Sequence, residues 1–422
     1  MIRLLVLLGL IGSTGLLPPP ADVVRLIGVE GEGAKYWPRW RGPSGQGLVA
    51  GANYSDTWSA TDHVIWRTAV PGSGHSSPIV WKDHVFLTTA SRDGAEMSVL
   101  AFNRGDGRLL WNTRIQSQNV EHVYWKNSRA SATPTTDGQR VYASFGTHGL
   151  VAVDFSGRIV WQTKLGDIRN YHGSAGSPVL HEDRIFLYQD HDGSAATRSF
   201  IAAFEATTGK VLWKRDRAET VGWGTPIVIQ AGARAELIVS SQERVYAYSP
   251  DTGEPFWTVR GNLLEVIPTP VVGHGLVFCS SGRAGPTLAI RPGGKGDVTG
   301  THVAWSSPRG SPFVPSGLVH GDYLYLVNDM QSILTVFEAA TGKVMYQNRL
   351  GVPVREGFTS SPVAVGDKVF LTNDEGDTFV VAAGPVFKLL RVNHLNAQVL
   401  ASPALVEGNW YWRTDRELIA IR

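Results

Sequence analysis

The sequence predicts an all-β, eight-bladed propeller of four-stranded antiparallel blades, and three observations predict it. First, a Ser-Pro or Thr-Pro step, or its nearest equivalent, recurs at Pro78, Pro134, Pro178, Pro226, Pro270, Pro315, Pro362 and Pro403, at intervals of 41 to 56 residues. Four-stranded propeller blades repeat on about that period. Second, each step opens a run of short strands rich in β-branched and aromatic residues, which suit a pleated, half-buried surface. Third, a turn glycine stands four residues before an aromatic in successive repeats: Gly107 and Trp111, Gly157 and Trp161, Gly209 and Trp213, Gly253 and Trp257.

At the N-terminus, Met1-Ile2-Arg3 precedes an apolar run from Leu4 to Leu17, then Pro18-Pro19-Pro20. The run is about 14 residues, short of the roughly 20 needed to cross a bilayer as a helix. Residues 1–20 therefore read as a signal peptide, 21–36 as a Gly-rich linker and 37–422 as a single propeller domain of an exported, periplasmic or secreted protein. No transmembrane segment is expected in the mature chain, which reads as a monomer.

Blade one reads as Ile79-Val80, a polar turn, His84 to Thr89, Met97 to Phe102, a turn at 104–107 and a fourth strand carrying Trp111. Glycine suits the last turn because hairpins require positive φ, and the aromatic four residues on is placed to fill the gap between blades. Blades two to four repeat this grammar. In blade five, Arg291 to His302 separates Leu288-Ala289-Ile290 from Val303-Ala304-Trp305 and is expected to be an exposed turn extension without core. Blade six has Tyr346 in place of tryptophan, and blade seven has Gly384-Pro385 in place of the turn, with Phe387 nearby. The last repeat ends at Leu418-Ile419-Ala420-Ile421 after only three strands, while His63 to Val70 precedes the first. Residues 64–70 are expected to pair with 417–422, closing the ring and covering a sheet edge.

Lys and Arg total 39 against 37 Asp and Glu, so no net field recruits nucleic acid or anionic membrane. Cys279 is the single cysteine, which rules out an intramolecular disulfide and a Cys-rich metal site; within Leu276-Val277-Phe278-Cys279 it reads as a buried small hydrophobe. Gly74-His75-Ser76-Ser77-Pro78 lacks the Gly-x-Ser-x-Gly elbow of a serine hydrolase. Asp190-His191-Asp192-Gly193-Ser194 opens like a calcium loop, but Ile201 stands where the twelfth-position glutamate belongs, so it reads as a solvated hairpin loop. No metal site and no catalytic residue is predicted.

The loops entering each blade's innermost strand lie beside the central channel, so the residues ahead of the prolines are expected to ring one mouth. His75, Lys126, Asn127, His172, Trp223, Glu265, Arg355 and Glu356 are the candidates, with Trp125, Arg129, Tyr171 and Asn396 beside them. Aromatic and charged groups converging on a concavity are what ligand and partner sites use. The competing role is to satisfy the polar groups of tight loops.

The repeat Ala-x-x-x-Thr-Gly-Lys-x-x-Trp, kept at Ala203 to Trp213, resembles the tryptophan-docking repeat of pyrroloquinoline-quinone (PQQ) propellers. From Trp37 onward the chain resembles the PQQ-binding-like family that includes the outer-membrane assembly factor BamB; Trp40-Arg41-Gly42-Pro43, Ala132-Thr133-Pro134 and Arg413-Thr414 look like its markers. The resemblance implies one of two roles, since one scaffold hosts both. The favoured one is a non-catalytic propeller that binds protein or cell-envelope partners and needs no cofactor. The alternative is a quinoprotein dehydrogenase oxidising alcohols or sugars with PQQ and calcium over the propeller axis; relatives of that type carry adjacent cysteines, which this chain lacks.

Overall fold

The computed structural model describes residues 24–49, 51, 53–116, 120–192, 198–283, 285–308, 310–352 and 357–422; the expected signal peptide lies outside them. Eight antiparallel blades of four strands each surround one axis, as the repeat predicts. The ring closes through blade eight, where Val64–Ala69 pairs with Glu417–Ile421, Thr68 opposite Leu418 and Ala69 opposite Glu417.

The Ser/Thr-Pro step has a physical reason that periodicity alone does not reveal. Each Ser or Thr hydroxyl accepts the backbone N–H of its counterpart in the preceding blade. The bonds run from Ser77 to Thr133 (2.9 Å), Thr133 to Ser177 (3.0 Å), Ser177 to Thr225 (3.2 Å) and Thr225 to Thr269 (2.9 Å). They continue from Thr269 to Ser316 (2.9 Å), Ser316 to Ser361 (3.0 Å), Ser361 to Ser402 (2.9 Å) and Ser402 back to Ser77 (3.0 Å). The result is a closed girdle of eight hydrogen bonds around the axis. It also corrects the anchor of blade six: the equivalent residue is Ser316, followed by Gly317, so Pro315 stands two positions early.

At the outer edge, the indole of one blade docks on the next. Trp111 Nε1 donates to the Phe155 carbonyl (2.9 Å), Trp161 to Ala206 (3.0 Å), Trp213 to Pro250 (2.9 Å) and Trp305 to Ala339 (2.9 Å). The following blade's turn glycine lies against the indole: a Cβ on Gly209 would stand 2.4 Å from Trp161, and one on Gly253 2.5 Å from Trp213. Both glycines have positive φ, +73° and +71°, so turn geometry and close approach demand the same residue. Between blades six and seven, Tyr346 packs against Phe387 at 5.7 Å instead.

Trp257 departs from this pattern, and the blade-five extension explains why. Gly296–Asp297 pairs in parallel with Trp257 and Thr258, and Val298 is buried in the cluster that holds Trp257, Val272 and Ile290. The extension therefore contributes core, contrary to expectation, because it folds back to cover the indole that a turn glycine covers elsewhere. Trp257 Nε1 donates to Glu236 Oε2 at 2.8 Å.

The stretch expected as a linker is docked over its described part. Val24–Leu26 adds to Ile227–Ala231, the innermost strand of blade four. Onward from there, Trp37 bridges to Val80, the Pro38 carbonyl accepts from Thr136, Gln46 accepts from Val272 and Leu48–Val49 pairs with Val363–Val365. Those partners are the channel-facing strands of blades one, two, five and seven, whose unpaired edges would otherwise be exposed in the channel. Residues 24–49 thus fill one end of the channel, and Trp37 and Arg41 in that segment are among the largest fully buried side chains.

The loop expected to be solvated at Asp190 to Ser194 begins instead with buried Asp190 and His191, while Gly193 and Ser194 lie outside the described residues. Asp190 is buried and accepts from Arg217 Nε at 2.9 Å, while the same guanidinium donates to Tyr248 (3.0 Å) and Ser241. Cys279 is buried as expected, and its thiol is pushed up to about 12 by that burial.

Candidate functional site

On the axis beside residues 24–49, the inter-blade loops and the turns between second and third strands meet. They enclose a cavity of about 210 Å³ on the axis. Trp40, from the N-terminal segment, forms part of its lining, and seven of the eight girdle hydroxyls face it: Ser77, Thr133, Ser177, Thr225, Thr269, Ser361 and Ser402.

His75, Lys126, Asn127, His172 and Trp223 line this cavity together. Burial holds the His75 imidazole down at about 4, with the charges of Arg413 and Lys126 adding to the effect, so it is neutral at neutral pH. Arg413 itself is buried, donates to Ser76 Oγ (2.7 Å) and the Thr88 carbonyl (2.6 Å), and is lowered to about 9 by desolvation. Lys126 Nζ pairs with Asp374 Oδ2 at 3.0 Å. The His172 ring sits 4.7 Å from Tyr124, 4.2 Å from Tyr171 and 5.3 Å from Trp223. Trp223 Nε1 donates to the Gly173 carbonyl at 2.8 Å.

Two candidates have evident supporting duties. Asn127 donates to the His172 carbonyl (2.7 Å) and accepts from Ser131 (2.6 Å), tying two loops together. Glu265 accepts from the Tyr171 hydroxyl (3.0 Å) and pairs with Arg283 (2.6 Å) beside the cavity wall. Arg355 and Glu356 lie outside the described residues.

The residue that sequence reasoning missed is Asp329. It follows the second strand of blade six, lines the cavity and is fully buried. Its Oδ1 accepts the Phe313 N–H at 2.7 Å, whereas Oδ2 has no partner. Burial pushes its carboxyl up to about 6, against the lowering effect of the Phe313 amide and Lys126. The signal was present in the repeat: turns between second and third strands share the mouth with the inter-blade loops, so Asp190, Arg283, Asp329, Asp374 and Arg413 belonged beside the proline-anchored candidates.

PQQ is a planar quinone with three carboxylates, and its calcium needs several oxygen ligands. Here Lys126 is taken by Asp374 and Arg283 by Glu265. Among the described residues, no group of three or more His, Cys, Asp or Glu side chains is arranged to hold a metal ion. The described residues therefore offer no set that fits that cofactor pair.

The chain is 22% identical to a tetrathionate hydrolase of Acidithiobacillus ferrooxidans over 360 residues, a match covering 74% of this chain and 65%, just under two thirds, of that protein. It is 25% identical over 357 residues to the outer membrane protein assembly factor BamB of Burkholderia pseudomallei, covering 76% of this chain and 82% of the relative. The crystal structure of BamB from Moraxella catarrhalis superposes with a TM-score of 0.63 at 13% identity, covering 85% of this chain and all but 1% of that one, a likeness of fold alone. The sequence model described as "Outer membrane protein assembly factor BamB" matches residues 32–258 and again 197–290, more than half of the chain. The protein therefore belongs to this BamB family of PQQ-repeat propellers.

Proposed function

We propose that this protein is an exported, non-catalytic binding module that docks a protein of the bacterial envelope against the mouth of its channel. The carrying observation is the distribution of exposed apolar side chains. Among the described large hydrophobics, five are more than half exposed: Trp125, Leu263, Leu264, Val352 and Val386. The first four stand on loops at the mouth, around a cavity walled by Tyr124, His172 and Trp223. Apolar side chains exposed around the rim of a concavity cost solvation in a free monomer and favour coverage by a partner. Family membership supports an outer-membrane protein assembly partner, and the apolar segment Leu4 to Leu17 supports export.

The test is a Trp125→Ser, Leu263→Ser, Leu264→Ser variant, assayed for association with purified outer-membrane assembly components. Loss of association with an unchanged melting temperature supports the reading. Unimpaired association places the partner elsewhere. For the dehydrogenase alternative, purified protein is mixed with PQQ and calcium and desalted; retained quinone with dye-linked alcohol oxidation would overturn the binding role.

A further inference from the structure

The axial cavity carries a second kind of site, independent of the apolar rim above it. Its polar lining is unusual in what it leaves unspent. Each girdle hydroxyl accepts an amide N–H from the neighbouring blade, and among the described residues no acceptor takes its own proton. Seven O–H donors therefore face the cavity. Among the described lining residues, one buried acceptor stands against them without a partner, Asp329 Oδ2. A buried carboxylate oxygen left unpaired is costly, and natural structures seldom retain one without reason.

The charges around the cavity balance. Lys126 is paired with Asp374, and Arg283 with Glu265. One further cation, Arg413, whose charge acts on His75, and one further anion, Asp329, keep the count even, and burial lowers both His75, to about 4, and His172. A strongly charged ligand gains nothing from such a balance, because it would be desolvated without a countercharge. The apolar walls include Trp40, Tyr124, Trp223, Phe313, Ile267 and Leu400.

We propose that this cavity binds a neutral, pyranose-sized polyol, either a free sugar or the terminal unit of a glycan. The ligand's ring oxygens would accept from the girdle hydroxyls, one ligand hydroxyl would donate to Asp329 Oδ2, and its C–H faces would pack on the aromatic walls. The class follows from the complementarity: many donors, one strong acceptor, flat apolar walls and no net charge. Asp329 accepts more strongly when ionised, so binding strengthens as pH rises through about 6.

The experiment titrates the full mature protein with glucose, N-acetylglucosamine and a chitin trisaccharide, following tryptophan fluorescence and ligand saturation-transfer NMR above and below pH 6. Saturable binding to at least one of them is expected, weaker below pH 6, and weakened about ten- to a hundredfold by Asp329→Asn, the range for a hydrogen bond to a charged group. Phe313→Leu, which keeps the carboxyl, weakens it as well, and the rim variant Trp125→Ser, Leu263→Ser, Leu264→Ser leaves it unchanged, which separates this site from the partner surface. Trisaccharide binding without monosaccharide binding assigns the glycan source. The proposal is overturned if no saccharide binds saturably at tens of millimolar, if Asp329→Asn binds as the parent does while remaining folded, or if sulfate or choline competes for the cavity.

Discussion

The backbone N–H of Ser402 donates to the hydroxyl of Ser77 across 3.0 Å, joining residues 325 positions apart and completing the girdle of the channel. Every other bond in that girdle links consecutive repeats, so this one carries ring closure at the axis while Val64–Ala69 carries it at the rim.

Replacing Ser77 by Ala removes the acceptor for the buried Ser402 amide. A loss of about 1–3 kcal/mol is expected from leaving such a donor unpaired, read as a shift in the urea midpoint at constant slope. Ser77→Thr keeps the acceptor, as Thr133 and Thr225 do at equivalent positions, and is expected to retain most of the stability.

Deletion of Asp62 to Val70 strips the fourth strand from blade eight and exposes the edge of Glu417–Ile421. Aggregation or a large fall in melting temperature is expected. A deleted protein that stays monomeric and equally stable in light scattering and calorimetry contradicts the closure.

Arg217 is the sole described cation bonded to buried Asp190. Arg217→Met leaves that carboxylate uncompensated in the interior, and breaking a buried pair in this way costs about 3–5 kcal/mol. Adding Asp190→Asn to the same protein should recover part of the loss, which a double-mutant cycle by chemical denaturation measures.

Asp329 and His75 give opposite pH dependences in overlapping windows. Asp329 is raised from 3.8 to about 6, so its share of stability is full below about pH 4 and is lost as pH rises through 6. His75 is lowered from 6.5 to about 4, so its share is full above 6.5 and is lost as pH falls towards 4. Stability of the Asp329→Asn variant should therefore fall more steeply than the parent's on acidification across this range, and that of His75→Asn less steeply. Denaturation midpoints measured between pH 4 and 6.5 check both signs.

The blade repeat was legible because it is written in local chemistry: a hydroxyl before a proline, a positive-φ glycine, an indole at a fixed offset. Contacts that depend on distant partners were not. Nothing in Val24 to Val49 announces that it will fill one end of the channel, because its partners lie on five different blades. Asp190 looked like a loop acid since the residue that neutralises it, Arg217, stands 27 positions on. Val298 read as loop because glycines surround it, although the indole it covers lies 41 residues earlier. At the site, proline anchoring located His75, Lys126, His172 and Trp223 on one cavity, and missed Asp329 because its position is defined by a turn, which has no punctuating residue.

The central claim, that the channel mouth is the partner surface, is tested most directly by site-specific photocrosslinking in cells. A photoreactive amino acid is placed at Trp125, at Leu264 and at Val386, the last an equally exposed apolar position away from the mouth. The account predicts one discrete adduct, containing an outer-membrane assembly protein, from positions 125 and 264 and none from 386. Adducts from 386 alone, or equal adducts from all three positions, would contradict it.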